Sequence, residues 1–134
     1  MKAVAMRRLY LREAAIMLVL ARLALSILPP ARIFAWVNGP LKQVNRFAVD
    51  EIGWVSWAIE SLGERLNAGC LPRTLAAHAM LRRRGIPSQV CLGVGRHDDK
   101  LAAHAWLEIK KEEVVGRSET HRFVRIAQFG GAQT

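Results

Sequence analysis

Cysteine is scarce in this sequence: of its 134 residues, Cys70 and Cys91 are the two. Two are too few for a disulfide framework, and a chain of this length builds a core that needs none, so the pattern fits a reducing cytoplasm. Acidic residues are also short. Eleven Asp and Glu stand against twenty Lys and Arg, for a formal charge of +9, which favours anionic partners by long-range attraction. The basic residues come in small groups, Arg7-Arg8, Arg82-Arg83-Arg84 and Lys110-Lys111. They lack the zinc-finger, RNA-recognition or basic-zipper patterns that would accompany them in a nucleic-acid reader, so nucleic acid is not an expected partner. Long apolar runs are missing too. The uninterrupted stretch from Ala14 to Ala21 lies between Glu13 and Arg22, well short of the roughly 20 residues of a spanning helix. The same two charges break the likeness of the N-terminus to a signal peptide. Internal repeats and low-complexity segments are absent.

What is present suits a folded domain. Hydrophobic residues make up 51% and charged residues 23%, with four Trp, four Phe and one Tyr as bulky anchors, a balance outside the disordered range. One domain over 1–134 is expected, with a helical part at 1–66 and a further helix plus sheet at 67–134. Helix formers from Met6 to Leu28 predict a first helix stopped by Pro29-Pro30. Leu9, Ile16, Leu20, Leu23 and Ile27 share one side of it, with Leu18, Val19 and Leu25 nearby. That is more than one apolar stripe, so the helix needs two packing surfaces, a partner or a membrane surface. Ala31 to Val37 reads as a short aromatic-bearing piece closed by the turn residues Asn38-Gly39-Pro40. From Leu41 to Leu66, Val44, Phe47, Ile52, Val55, Ile59 and Leu62 recur at helical steps, with a break near Asp50. Trp54 and Trp57, three apart on one face, read as core.

Asn67-Ala68-Gly69 interrupts this pattern. The next helix runs from about Leu71 or Pro72 to Arg84, with Pro72 near its start, Gly85 past its end, and Arg82 to Arg84 where the dipole favours positive charge. The character then changes. Gln89 to Val94 is a short apolar strand, Gly95 to Lys100 a polar loop, and Ala103 to Ile109 an alternating strand. A turn at Lys110-Lys111 leads to Val114-Val115, and His121 to Ile126 forms a last strand. Helices followed by a small antiparallel sheet define an α+β architecture.

Within that frame Cys70 falls at the first turn of a helix, where unpaired amides and the dipole stabilise a thiolate. A base for such a nucleophile must come from elsewhere in the fold. His104, in the middle of a strand, can be held facing the helix terminus. Two cysteines and four histidines make eight pairs, so composition alone does not select this one. Cys91 reads as a buried small hydrophobe, His78 lies more than two turns from Cys70, and His97 and His121 read as loop or strand-edge residues. Cys70, Cys91, His97 and His104 match no common zinc spacing, and no metal or other cofactor is expected.

Three segments carry a more specific likeness. Cys70-Leu71-Pro72-Arg73-Thr74-Leu75, then Leu81-Arg82-Arg83-Arg84-Gly85-Ile86-Pro87, then Ala103-His104-Ala105-Trp106-Leu107-Glu108 stand in this order with a strand between the last two. Together they resemble the transglutaminase-like cysteine proteases that process lasso-peptide and microcin precursors, with a papain/transglutaminase-like fold. The resemblance implies a Cys-His-Asp protease that cuts the leader from a ribosomally made precursor, freeing an amino terminus for an ATP-dependent lasso cyclase. Cys70 matches the nucleophile and His104 the base. The family's Asp commonly follows a Val-Val-Asn stretch, whereas here Gly116 and Arg117 follow Val114-Val115. Glu119 is the nearest substitute in sequence; Glu108 shares a side of the strand with His104 but two pleats away, and a backbone carbonyl or Ser118 is a further orienter. In this family the protease is either fused to a winged-helix leader-binding domain or paired with one as a separate protein, and the helical residues before Cys70 point to the second arrangement. The expected partners are the precursor leader peptide, the separate leader-binding protein and the cyclase, with membrane-surface contact open to the first helix. The alternatives are a non-catalytic subunit of the same maturation complex and a basic membrane-surface protein.

Overall fold

Two adjacent prolines divide the N-terminal helices. The computed structural model describes residues 2–39, 49–116 and 123–130. In it α1 spans Lys2–Ile27 and α2 spans Pro30–Val37. Pro29 sits extended at the N-cap of α2 and Pro30 opens the helix, where a fixed φ and a missing amide cost nothing. The piece expected at Ala31 to Val37 is therefore a helix. It is closed by Asn38, whose amide bonds to the Phe34 carbonyl.

The inner face of α1 is Tyr10, Ala14, Leu18 and Ala21, all buried. Leu9, Ile16, Leu20, Leu23 and Ile27 lie on the opposite side and are 50–74% exposed. Of the two apolar surfaces of this helix, the narrower one packs, because alanines at 14 and 21 allow close approach to α3 and α4. α3 spans Val49–Arg65, opening with Asp50 and Glu51 in its first turn; the expected periodicity at Val44 and Phe47 lies outside the described residues. Trp54 stacks on Tyr10 with ring centroids 5.8 Å apart and meets Trp57 edge-on at 5.7 Å. Trp57 is partly exposed beneath the Arg7 guanidinium.

α4, Cys70–Arg83, is the central helix, with Thr74, Leu75, Ala77, His78, Met80 and Leu81 buried. It stops where Gly85 takes φ +71 and the Ile86 amide returns to the Leu81 carbonyl, a left-handed cap that glycine adopts without strain. The arginines there are structural. Glu13 of α1 accepts from Arg83 at 2.8 Å and from Arg84 at 2.6 Å. The Arg84 hydrogen bond holds the Glu13 carboxyl below its ordinary range, and the same bond raises the Arg84 pKa. Arg82 donates to the Gly39 carbonyl and lies over Trp36.

Four strands follow, β1 Gln89–His97, β2 Lys100–Ile109, β3 Glu112–Val115 and β4 Phe123–Gly130. They form one antiparallel sheet in the order β3-β2-β1-β4. Both tight connections use consecutive left-handed residues, Asp98-Asp99 at φ 52 and 62 and Lys110-Lys111 at φ 50 and 70, a backbone that matches the strand twist. The polar loop expected at Gly95 to Lys100 is thus a two-residue turn, and the ladder continues to His97 and Lys100. Val90, Leu107 and Val115 join the core with the helices, and Phe129 stacks on Phe34 of α2 at 4.2 Å. Alternation places Cys91, Gly93, His104, Trp106, Glu108 and Arg125 on the other face. The architecture is α+β.

Candidate active site

The N-terminus of α4 is built without a side-chain cap. Gly69 occupies the N-cap position in extended conformation, and Cys70 is the first helical residue. The Cys70 carbonyl accepts from Thr74 Oγ1 at 2.8 Å. One turn on, Arg73 Nε reaches back to the Ala68 carbonyl at 2.8 Å, fixing the chain just ahead of the helix. Cys70 is half-buried, and its Sγ accepts the Ala105 amide at 3.4 Å. The helix terminus and this amide both direct positive potential at the sulfur.

That amide belongs to the residue after His104. β3 pairs with β2 at Leu107, Glu108 and Ile109, so the neighbouring edge at 104–105 is left to Cys70 and to the backbone of Gly116. His104 Nε2 lies 2.8 Å from the Gly116 carbonyl oxygen. A carbonyl accepts, so the proton of the neutral ring sits on Nε2 and Nδ1 keeps a lone pair to receive one. The ring is held between Trp106 (centroids 5.8 Å, planes 21° apart) and Phe123 (4.8 Å, 28°).

The other sequence candidates are placed differently. Glu108 is buried, and its Oε2 accepts from Trp106 Nε1 at 2.8 Å and pairs with Arg125; it holds the indole on which His104 stacks rather than His104 itself. Glu119, and Ser118 with it, lies outside the described residues. Cys91 is fully buried opposite Trp106, and desolvation, with the Glu108 charge next, pushes its thiol up to about 11. His78 is buried, its Nδ1 2.7 Å from Ser88 Oγ and its ring edge-on to Trp36. Burial lowers its pKa to about 4. Among the described residues no group of three His, Cys, Asp or Glu is disposed to hold a metal ion. A cleft of about 500 Å³ opens between the starts of α1 and α3, lined by Met6, Arg7, Val49, Asp50, Trp54 and Trp57, away from Cys70.

Sequence reasoning missed Glu60. From α3 its Oε2 accepts the Gly116 amide at 3.3 Å, and its Oε1 lies 3.5 Å from Arg73 Nη1. Ser56, one turn earlier, donates to the Val114 carbonyl at 2.5 Å. Both contacts join residues more than fifty positions apart, and no local spacing signals them.

A search of the curated proteins and one of the solved structures each returned no significant match. The family model of the transglutaminase-like superfamily matches residues 15–128, a span that holds Cys70 and His104 and most of the chain. With that match over an α+β fold whose cysteine opens the central helix against the sheet, the chain belongs to the transglutaminase-like superfamily.

Proposed function

We propose that the chain is a cysteine endopeptidase that removes the leader from a ribosomally made lasso-peptide precursor, with Cys70 as nucleophile and His104 as base. The observation that supports this reading is that the Cys70 sulfur takes the amide of Ala105, the residue after His104, while the Gly116 carbonyl engages His104 Nε2 and leaves Nδ1 free for a proton. In this reading Nδ1 of His104 takes the thiol proton and the sulfur adds to the scissile carbonyl. The imidazolium then gives its proton to the departing amine, leaving a thioester on Cys70. Water, deprotonated by the same nitrogen, hydrolyses it. The Cys70 backbone amide would be the donor to the developing oxyanion.

The leader as substrate rests on the sequence signature from Cys70 to Glu108, and the site is cytoplasmic in this reading. The described residues before Cys70 are helical and offer an extended leader no strand of their own to pair with. A separate leader-binding protein would supply that edge and raise the local concentration of the scissile bond. The cyclase would then take the freed amino terminus.

Cleavage of a precursor is the test. Cys70→Ala and His104→Ala should each abolish it with the fold intact, while Cys91→Ala retains it; cleavage by the Cys70 variant would refute the mechanism. The orienting role proposed for Glu119 is measured alongside. Glu119→Gln slows turnover roughly tenfold or more if its carboxylate reaches His104, as removal of an orienting carboxylate does elsewhere. It leaves the rate unchanged if the Gly116 carbonyl suffices.

A further inference from the structure

Histidine bases in nucleophilic triads are oriented by a third group, and here the group on His104 Nε2 is a backbone carbonyl. A carbonyl is only as well placed as the residue that carries it. Gly116 has φ +76 and follows the last residue of β3, and nothing intrinsic to glycine holds that conformation. A side chain on another element anchors its N–H: Glu60 accepts the Gly116 amide. The other oxygen of the same carboxylate faces Arg73, whose Nε is bonded to the Ala68 carbonyl just ahead of Cys70. The contacts run from Ala68 through Arg73, Glu60 and Gly116 to His104.

We infer that Glu60 is a positioning residue for the proposed site, setting His104 through the backbone of Gly116 and tying that residue, through Arg73, to the segment that presents Cys70. The inference rests on the cysteine-peptidase reading and deepens it. The carboxylate need not touch the imidazole. It anchors the N–H of Gly116, in the peptide before the one whose carbonyl meets the imidazole, and it shares its charge with an arginine on the nucleophile's own helix.

Reach and charge are separable in the test. Glu60→Asp keeps the charge but shortens the side chain, withdrawing it from the Gly116 amide. Glu60→Gln gives up the charge but keeps an oxygen at the right length. In a Cys91→Ala background, the rate of Cys70 alkylation by iodoacetamide is followed against pH, with the His104 imidazole titration read by NMR. Glu60→Asp should slow alkylation near neutral pH roughly tenfold and move the His104 titration, since small misplacements of reacting groups are costly. Glu60→Gln should stay within about threefold of the parent. Ser56→Ala, which loosens β3 at Val114 without touching Gly116, should lower the melting temperature and leave both profiles in place. A parent-like Glu60→Asp, or a Ser56→Ala shifted as far as Glu60→Asp, overturns the role of Glu60 alone. A parent whose Cys70 alkylates as an ordinary thiol, with no dependence on His104, overturns the peptidase reading and this inference with it.

Discussion

A Cβ on Gly63 would lie 2.5 Å from Nε of Arg73. The glycine faces α4 from the last turn of α3, and the arginine crosses it to reach both Ala68 and Glu60. Glycine inside a helix costs roughly 0.5–1 kcal/mol relative to alanine, so a bare backbone at this point is spent on room for that crossing.

Gly63→Ala should therefore separate stability from activity. The added methyl displaces a flexible side chain and gains helix propensity, so the thermal midpoint should hold or rise slightly. With Arg73 moved off its two partners, precursor cleavage should fall roughly tenfold. A melting curve and a cleavage assay on one preparation check this; a large loss of stability with normal cleavage would contradict it.

The two cysteines should differ in reactivity. Cys91 is sealed in the sheet with its thiol pushed up to about 11, whereas Cys70 is partly exposed at a helix terminus. Under native conditions at neutral pH an alkylating probe should modify Cys70 at least roughly tenfold faster. Peptide mapping of the labelled protein would show the reverse order if this placement were wrong.

Glu108 carries a stability prediction. Its carboxylate satisfies the buried Trp106 indole N–H and pairs with Arg125. Glu108→Ala leaves that N–H without its acceptor, at a cost of about 1–3 kcal/mol, and frees the indole against which His104 stacks. Chemical denaturation should show the loss, and Glu108→Gln, which keeps an acceptor oxygen, should recover part of it.

His78 predicts the acid limb of stability. Its folded pKa is lowered to about 4 from an ordinary value near 6.5, so between these values the unfolded chain binds the proton and the folded chain does not. Stability from this group is complete above about pH 6.5 and falls as pH drops towards 4, by up to about 3 kcal/mol. Glu13, held below the usual carboxylate range, adds its own loss further into acid. Denaturation midpoints at pH 7.5 and 5.0 should differ in the parent and converge in His78→Asn.

Much of the fold is legible wherever a local rule governs. Pro29-Pro30 stops a helix, Gly85 ends another, and alternation from Ala103 to Ile109 places His104 with Trp106 and Glu108. The surfaces of α1 are not legible in the same way, because Leu9 and Leu23 carry as strong an apolar signal as the buried Tyr10 and Leu18, and only the partner surface chooses between them. The turns at Asp98-Asp99 and Lys110-Lys111 lack the glycine that marks left-handed backbone, which hides the length of β1. At the site, Cys70 and His104 stand out through their segments. Glu60 does not, since its role depends on a backbone amide 56 positions away and on a carbonyl that bears no sequence mark.

The attachment of β3 to α3 has a further consequence. Val114 and Gly116 meet that helix through the hydroxyl of Ser56 and the carboxylate of Glu60, side-chain bonds set beside the continuous ladder that joins β2 to β1. Their rupture requires a local opening at the sheet's edge, of lower free energy than global unfolding. Amide hydrogen exchange at Gly116 would then track the excursions of α3 rather than the melting of the core. On warming, the proposed catalytic geometry would dissolve while the secondary structure was still intact.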